Sequence, residues 1–190
     1  FGTTPDFALA SPLWLRAGSP VPAVVHSNTR KTPVVIQTDT HVARASDREL
    51  VVTRSFDAPV HTVFKAWTTP ALFQRWWAPA SMGVKMLSCE MDVRPGGSYR
   101  VVFGHEGTEG MAFFGRYLDV VPNVRLLWTN DEGADGAVTT VTFTEKNGRT
   151  QLVLRELYPT KEALDESGPG TEGSTPEQFA QLDALLAAEG

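Results

Sequence analysis

One stretch, residues 56–79, constrains the fold more than any other: FDAPVHTVFKAWTTPALFQRWWAP. Pro59 follows Asp57 and Ala58, so a helix opens there with proline in its first turn, where no amide donor is missed. Val60, Val63, Phe64 and Trp67 recur at i, i+3, i+4 and i+7, the apolar face of a helix. Thr69-Pro70 restarts the chain with a hydroxyl cap before proline. Leu72, Phe73, Trp76 and Trp77 give a second apolar face, which Pro79 closes. Each large aromatic buries ~150–250 Å², roughly 4–6 kcal/mol gross at ~25 cal/mol/Å² before entropy. Such a density of indole rings is either the heart of a core or the lid of an apolar pocket. The rest of the chain must supply the surface on which they pack.

That surface reads as β-structure. Glu49–Phe56 alternates, with Leu50, Val52, Arg54 and Phe56 on one side, and so forms a strand feeding the helix pair. After Pro79 the period becomes two. Leu87, Cys89, Met91 and Val93 share one face, and the turn Arg94-Pro95-Gly96-Gly97 leads into Tyr99, Val101 and Phe103. Met111, Phe113, Gly115 and Tyr117 alternate with Ala112, Phe114, Arg116 and Leu118. A short strand carrying Trp128, a Thr/Val strand over 137–144, the hairpin dipeptide Asn147-Gly148 and a last strand over 150–158 follow. Strands joined by turns at this spacing predict an antiparallel meander, not βαβ units.

The tail turns helical in two pieces. Residues 160–167 give one or two turns, Gly168-Pro169-Gly170 and Gly173 break them, and a second helix starts at Ser174 or Thr175 with Pro176. Phe179, Leu182, Leu185 and Leu186 form its apolar face. Residues 1–33, with five prolines and no sustained period, predict a flexible extension, and Val34–Ile36 a short edge strand.

Three motifs in this order, FDAPxxxVFxAWTxPxxxxxWWAP, DVRPGGSYR and GRYLDVVPNVRLLWT, resemble the activator-of-heat-shock-protein-ATPase-like branch of the START and pollen-allergen (SRPBCC, helix-grip) superfamily. The resemblance implies an α+β helix-grip fold. Its curved antiparallel sheet of about six to seven strands wraps around a C-terminal helix, with two short helices between the first and second strands. It divides the chain into an extension, 1–47, mostly disordered or an edge strand, and a START-like domain, 48–190. It further implies a cavity for a hydrophobic small molecule: a lipid, a polyketide or an aromatic compound. A polyketide cyclase or hydrolase using the same cavity and a co-chaperone-type accessory are the alternatives. Relatives that dimerise add a homodimer to the expected partners.

The residues themselves exclude several classes. A net charge of −5, with seven acids and no Lys or Arg after Lys161, argues against nucleic acid or anionic membrane as partner. No run approaches the ~20 apolar residues of a membrane span. The single cysteine, Cys89, excludes an intrachain disulfide and a cysteine-based zinc site and fits the cytoplasm. No nucleophile elbow, zinc-protease motif or phosphate loop is present, and the four histidines lack ligand spacing, so neither catalytic residues nor a metal or cofactor is assigned. The expected ligand-binding set is instead the inward-facing aromatic one. From the helical regions it takes Phe64, Trp67, Trp76, Trp77 and Phe179. From the strands it takes Met91, Tyr99, Phe103, Met111, Phe113, Tyr117, Trp128 and Phe143. Glu156 joins them because Leu152 and Leu154 place it inward. An inward carboxylate must be paired, solvated or protonated: Glu156 is either a rim residue where the sheet ends or a polar anchor in the cavity, with Tyr99 or Tyr117 as hydroxyl donor.

Overall fold

The computed structural model describes residues 40–189 except 106, 108, 134 and 135. The extension expected for residues 1–33 and the strand at Val34–Ile36 lie outside the described residues. The α+β helix-grip fold is present. Eight strands form one antiparallel, curved and unclosed sheet: β1 (His41–Arg44), β2 (Glu49–Phe56), β3 (Lys85–Met91), β4 (Ser98–Gly104), β5 (Met111–Val121), β6 (Arg125–Thr129), β7 (Val138–Lys146) and β8 (Arg149–Leu157). The spatial order is β1-β2-β8-β7-β6-β5-β4-β3. Helices α1 (Val60–Thr68) and α2 (Pro70–Phe73) follow β2, and α3 (Lys161–Glu189) ends the chain.

Alternation does its work on the inner face. Leu50, Val52 and Phe56 of β2, Val141 of β7 and Leu152 of β8 are fully buried. Asn147 and Gly148 both take positive φ, 55° and 74°, and close a two-residue hairpin that pairs Lys146 with Arg149. Two bulges bend the sheet. The ladder skips Leu87 between Met86 and Ser88, and Leu118 between Tyr117 and Asp119. The first corrects the expected facing of β3: Leu87 is turned outward, 38% exposed, and Met86 packs on the core.

The helix starts also differ from expectation. Thr69 makes no side-chain cap bond; its carbonyl instead accepts from the N–H groups of Leu72 and Phe73 at 3.0 and 2.9 Å. The free donor of Val60 at the start of α1 is taken by Glu145 of β7 at 2.8 Å. Because α2 ends at Phe73, Trp76 and Trp77 sit in the turns that follow it rather than on its face.

The larger correction concerns α3. It is one helix of 29 residues with Pro169 and Pro176 inside it, not two pieces. Each proline removes one N–H from the ladder. Burial of Leu164, Ser167, Gly168, Gly170, Thr175 and Phe179 along one side overrides that local cost. At Gly168 the helix passes close to its own previous turn: a Cβ there would come within 2.7 Å of Leu164 Cδ1, the end of a side chain that would have to shift, and 3.5 Å from Arg44 Nη2. The helix is fastened at both ends. Arg44 of β1 reaches Asp165 at 2.6 Å and Glu172 at 3.1 Å. Nearer the C-terminus the buried Arg54 of β2 pairs with Asp183. Gln181 Nε2 donates to the carbonyls of Trp76 and Ala78 at 2.7 and 2.8 Å, and its Oε1 accepts from Ala80 N–H. These bonds tie the tryptophan turn to the helix.

Candidate ligand cavity

Between α3, the α1–α2 corner and the concave face of β4–β8 lies a cavity of about 220 Å³. One end is aromatic. Trp67 is 1% exposed and stands 4.9 Å, centroid to centroid, from Trp76, which is wholly buried. Phe73 stacks on Trp77 at 4.7 Å. Trp76 belongs to the core beneath, where its Nε1 donates to Ala66 O at 3.1 Å. Trp67 faces the cavity, and its Nε1 is buried without a hydrogen-bond partner. A buried donor left unpaired is costly, and this one lies in a residue of the cavity wall.

The far end is polar. β8 places Glu156 between Leu50 of β2 and Thr139 of β7, inward as alternation requires. Its Oε2 accepts from Tyr158 Oη at 2.8 Å and from Thr171 Oγ1 of α3 at 3.0 Å. These donors, not Tyr99 and Tyr117, are its partners. The part of Glu156 that stays accessible faces the cavity. Desolvation pushes its carboxyl above the ordinary range, against the lowering effect of the two hydroxyls. Burial likewise raises Tyr158, Tyr99 and Tyr117, so all three phenols stay protonated. Tyr99 instead donates to Thr129 O and Asn130 Oδ1, at 3.0 and 2.9 Å. Its ring crosses Gly115, where a Cβ would fall 1.9 Å from Thr129 O and 2.9 Å from Tyr99 Cε1. Glu132, in the loop after β6, accepts from Phe114 N–H at 2.6 Å and is also raised, chiefly by desolvation.

Among the residues expected from sequence, the cavity wall includes Trp67, Trp77 and Phe179 from the helical side. From the sheet it includes Met91, Tyr99, Phe103, Met111, Phe113, Tyr117, Trp128 and Glu156. Phe64, Trp76 and Phe143 lie outside the wall; Phe64 and Phe143 meet edge to face at 5.4 Å within the core. Beyond the expected set the wall holds apolar residues such as Phe73, Val101, Leu126 and Leu154, and a polar group that the sequence reading missed: Asn130, Glu132, Tyr158, and the α3 stripe Thr171, Ser174, Thr175 and Gln178. That stripe recurs at i, i+3, i+4 and i+7, a helical signal hidden by the glycines and prolines around it. Elsewhere, Cys89 is half-buried and its thiol is pushed up to about 11 by desolvation, so it stays protonated. His41, His61 and His105 are exposed, and His26 lies outside the described residues. Among the described residues no group of three or more His, Cys, Asp or Glu is arranged to hold a metal. No described helix is long and apolar enough to cross a membrane.

Solved structures share this fold. A protein of Rhodobacter sphaeroides is 26% identical, with a TM-score of 0.71, covering 80% of this chain and 100% of its own. One from Nitrosomonas europaea is 20% identical, with a TM-score of 0.71, covering 78% and 99%. An AHSA1-like protein from Aeromonas hydrophila is 21% identical, with a TM-score of 0.59, covering 70% and 92%. No protein of curated function matches significantly. Residues 57–187 match the profile of the family described as Activator of Hsp90 ATPase homolog 1-like protein, and the chain belongs to that family.

Proposed function

We propose that the protein binds a hydrophobic small molecule between the sheet and α3. The observation that carries this is a cavity of about 220 Å³ whose wall holds an unpartnered, buried indole N–H, that of Trp67. A pocket with apolar walls and a few converging polar groups is the usual form of a small-molecule site. The volume is below the ~300–1,000 Å³ common for such sites, which favours a body of one or two rings over a long-chain lipid. The aromatic end takes the body, and Trp67 N–H with the Glu156 end takes its polar groups. Native mass spectrometry and displacement of an environment-sensitive dye test this. A co-purified or displacing apolar molecule supports it; a protein that binds neither dye nor aromatic probe refutes it.

The state of Glu156 favours a second reading, a cyclase- or hydrolase-like enzyme in which this carboxyl gives a proton to a carbonyl held in the cavity. Glu156→Gln would then abolish turnover with substrate affinity kept. A cytoplasmic setting fits the protonated, half-buried Cys89 thiol. The homodimer would appear as a doubled mass by light scattering.

A further inference from the structure

The charge of the cavity wall points to one head group. Its described ionisable residues are Glu132, Glu156, Tyr99, Tyr117 and Tyr158; no Lys, Arg or His stands among them. Arg44 of β1 is not part of the wall and is engaged by Asp165 and Glu172 of α3 at 2.6 and 3.1 Å. A carboxylate or phosphate entering here would lose its water and meet acidic side chains, with no cation in the described wall to offset that loss. A cation meets the reverse. Both hydroxyls that bind Glu156 fall on Oε2, so neither engages Oε1 of this cavity-wall residue. Trp67, Trp77, Trp128 and Tyr117 offer ring faces and edges around the same space, and aromatic faces attract organic cations.

We propose that the cavity is selective for an amine: a compact aromatic or alicyclic body whose ammonium group pairs with Glu156, with a hydroxyl, ether or carbonyl oxygen for Trp67 N–H where the body carries one. This rests on the cavity being a ligand site, and sharpens it to a class of ligand. An ammonium beside the ionised Glu156 makes a pair without net charge, and whatever proton the desolvated carboxyl holds in the free protein leaves to solvent on binding. Glu132 stays in place as the acceptor for Phe114 N–H, and the phenols remain neutral.

The test compares three ligands with one body: 2-(1-naphthyl)ethylamine, 1-naphthaleneethanol and 1-naphthaleneacetic acid, titrated calorimetrically into the full chain near neutral pH. The expected order is amine over alcohol by at least about tenfold, one factor of ten being ~1.4 kcal/mol, with the acid weakest. Repeating the amine titration in buffers of different ionisation enthalpy should show net proton release and never uptake, the direction set by a desolvated carboxyl that ionises on pairing. Glu156→Gln should bring amine and alcohol within about threefold of each other, whereas Glu162→Gln, which removes the same charge from an exposed position on α3, should leave the preference intact. If the alcohol binds as well as the amine, or the acid binds best, amine selectivity is wrong and the cavity still stands as a ligand site. If none of the three binds, the ligand site itself falls. The wild-type comparison decides the matter even if Glu156→Gln does not fold.

Discussion

At the tryptophan end, Trp67, Trp76, Phe73 and Phe179 meet ring to ring, each less than 9% exposed. At the other end, Glu156, Tyr158 and Thr171 border open space, whereas Gln178 donates to Trp77 O at 2.5 Å and belongs to the tryptophan end. Helix α3 spans both. Its C-terminal half presents Phe179, Leu182, Leu185 and Leu186 to the core, and Gln181 stitches it to the turn carrying Trp76. Its N-terminal half contains Gly168, Pro169, Gly170, Gly173 and Pro176 and turns hydroxyls toward the cavity. One end stores the stability of the fold; the other gives some of it up for a chemically particular surface. A fold that closes a sheet over one helix can assign these tasks to different turns of that helix.

The comparison can be broken by substitution. Phe179→Ala removes a fully buried ring that touches Phe56 edge-on at 5.6 Å, and is expected to cost about 3–5 kcal/mol in denaturant unfolding. A loss under ~1 kcal/mol would mean the tryptophan end is not the structural one. Gly115→Ala forces a methyl against Thr129 O and the Tyr99 ring. It should cost about 1–3 kcal/mol and weaken binding of any cavity ligand together with stability.

At the polar end the expected sign is opposite. The folded state raises the Glu156 carboxyl above its ordinary 4.5. The folded form therefore holds the proton more tightly than the unfolded chain, and the contribution of Glu156 to stability is fullest below 4.5 and declines as pH rises through the folded value. Glu156→Gln, which cannot ionise, should melt higher than the wild type at pH 7, by about 2–4 °C for each ~1 kcal/mol gained. The advantage should vanish in acid. An advantage that grows in acid would contradict burial of the neutral carboxyl. The smallest effect belongs to Gly173→Ala, where a Cβ meets nothing within 4 Å. Thermal melting should show a gain of about 0.5–1 kcal/mol from lower chain entropy and better helix propensity.

Much of this was legible in the sequence because burial on one face forces a period. The inward set of β2, β4, β5 and β8 follows alternation, and the helix pair follows its apolar spacing; the inward Glu156 needed only its neighbours Leu152 and Leu154. The bulge at Leu87 was not legible, since a one-residue shift changes which face is inward without changing composition. Nor was the continuity of α3. Glycine and proline weaken a helix locally, and only contacts made by Leu164, Thr175 and Phe179 with distant strands offset that. Depth was hidden too. Periodicity puts Trp67, Trp76 and Phe143 on inward faces alike, yet only Trp67 reaches the cavity, because which inward ring borders a void depends on how the whole sheet curves.

The most direct measurement is an amide and indole NMR titration of the full chain with 1-naphthaleneethanol. The account predicts saturable shifts concentrated at the Trp67 and Trp77 indoles, Thr171, Gln178 and Glu156, with the outer-face residue Leu118, 52% exposed, silent. Shifts confined to that outer face, or none at ligand saturation of the solvent, would contradict it.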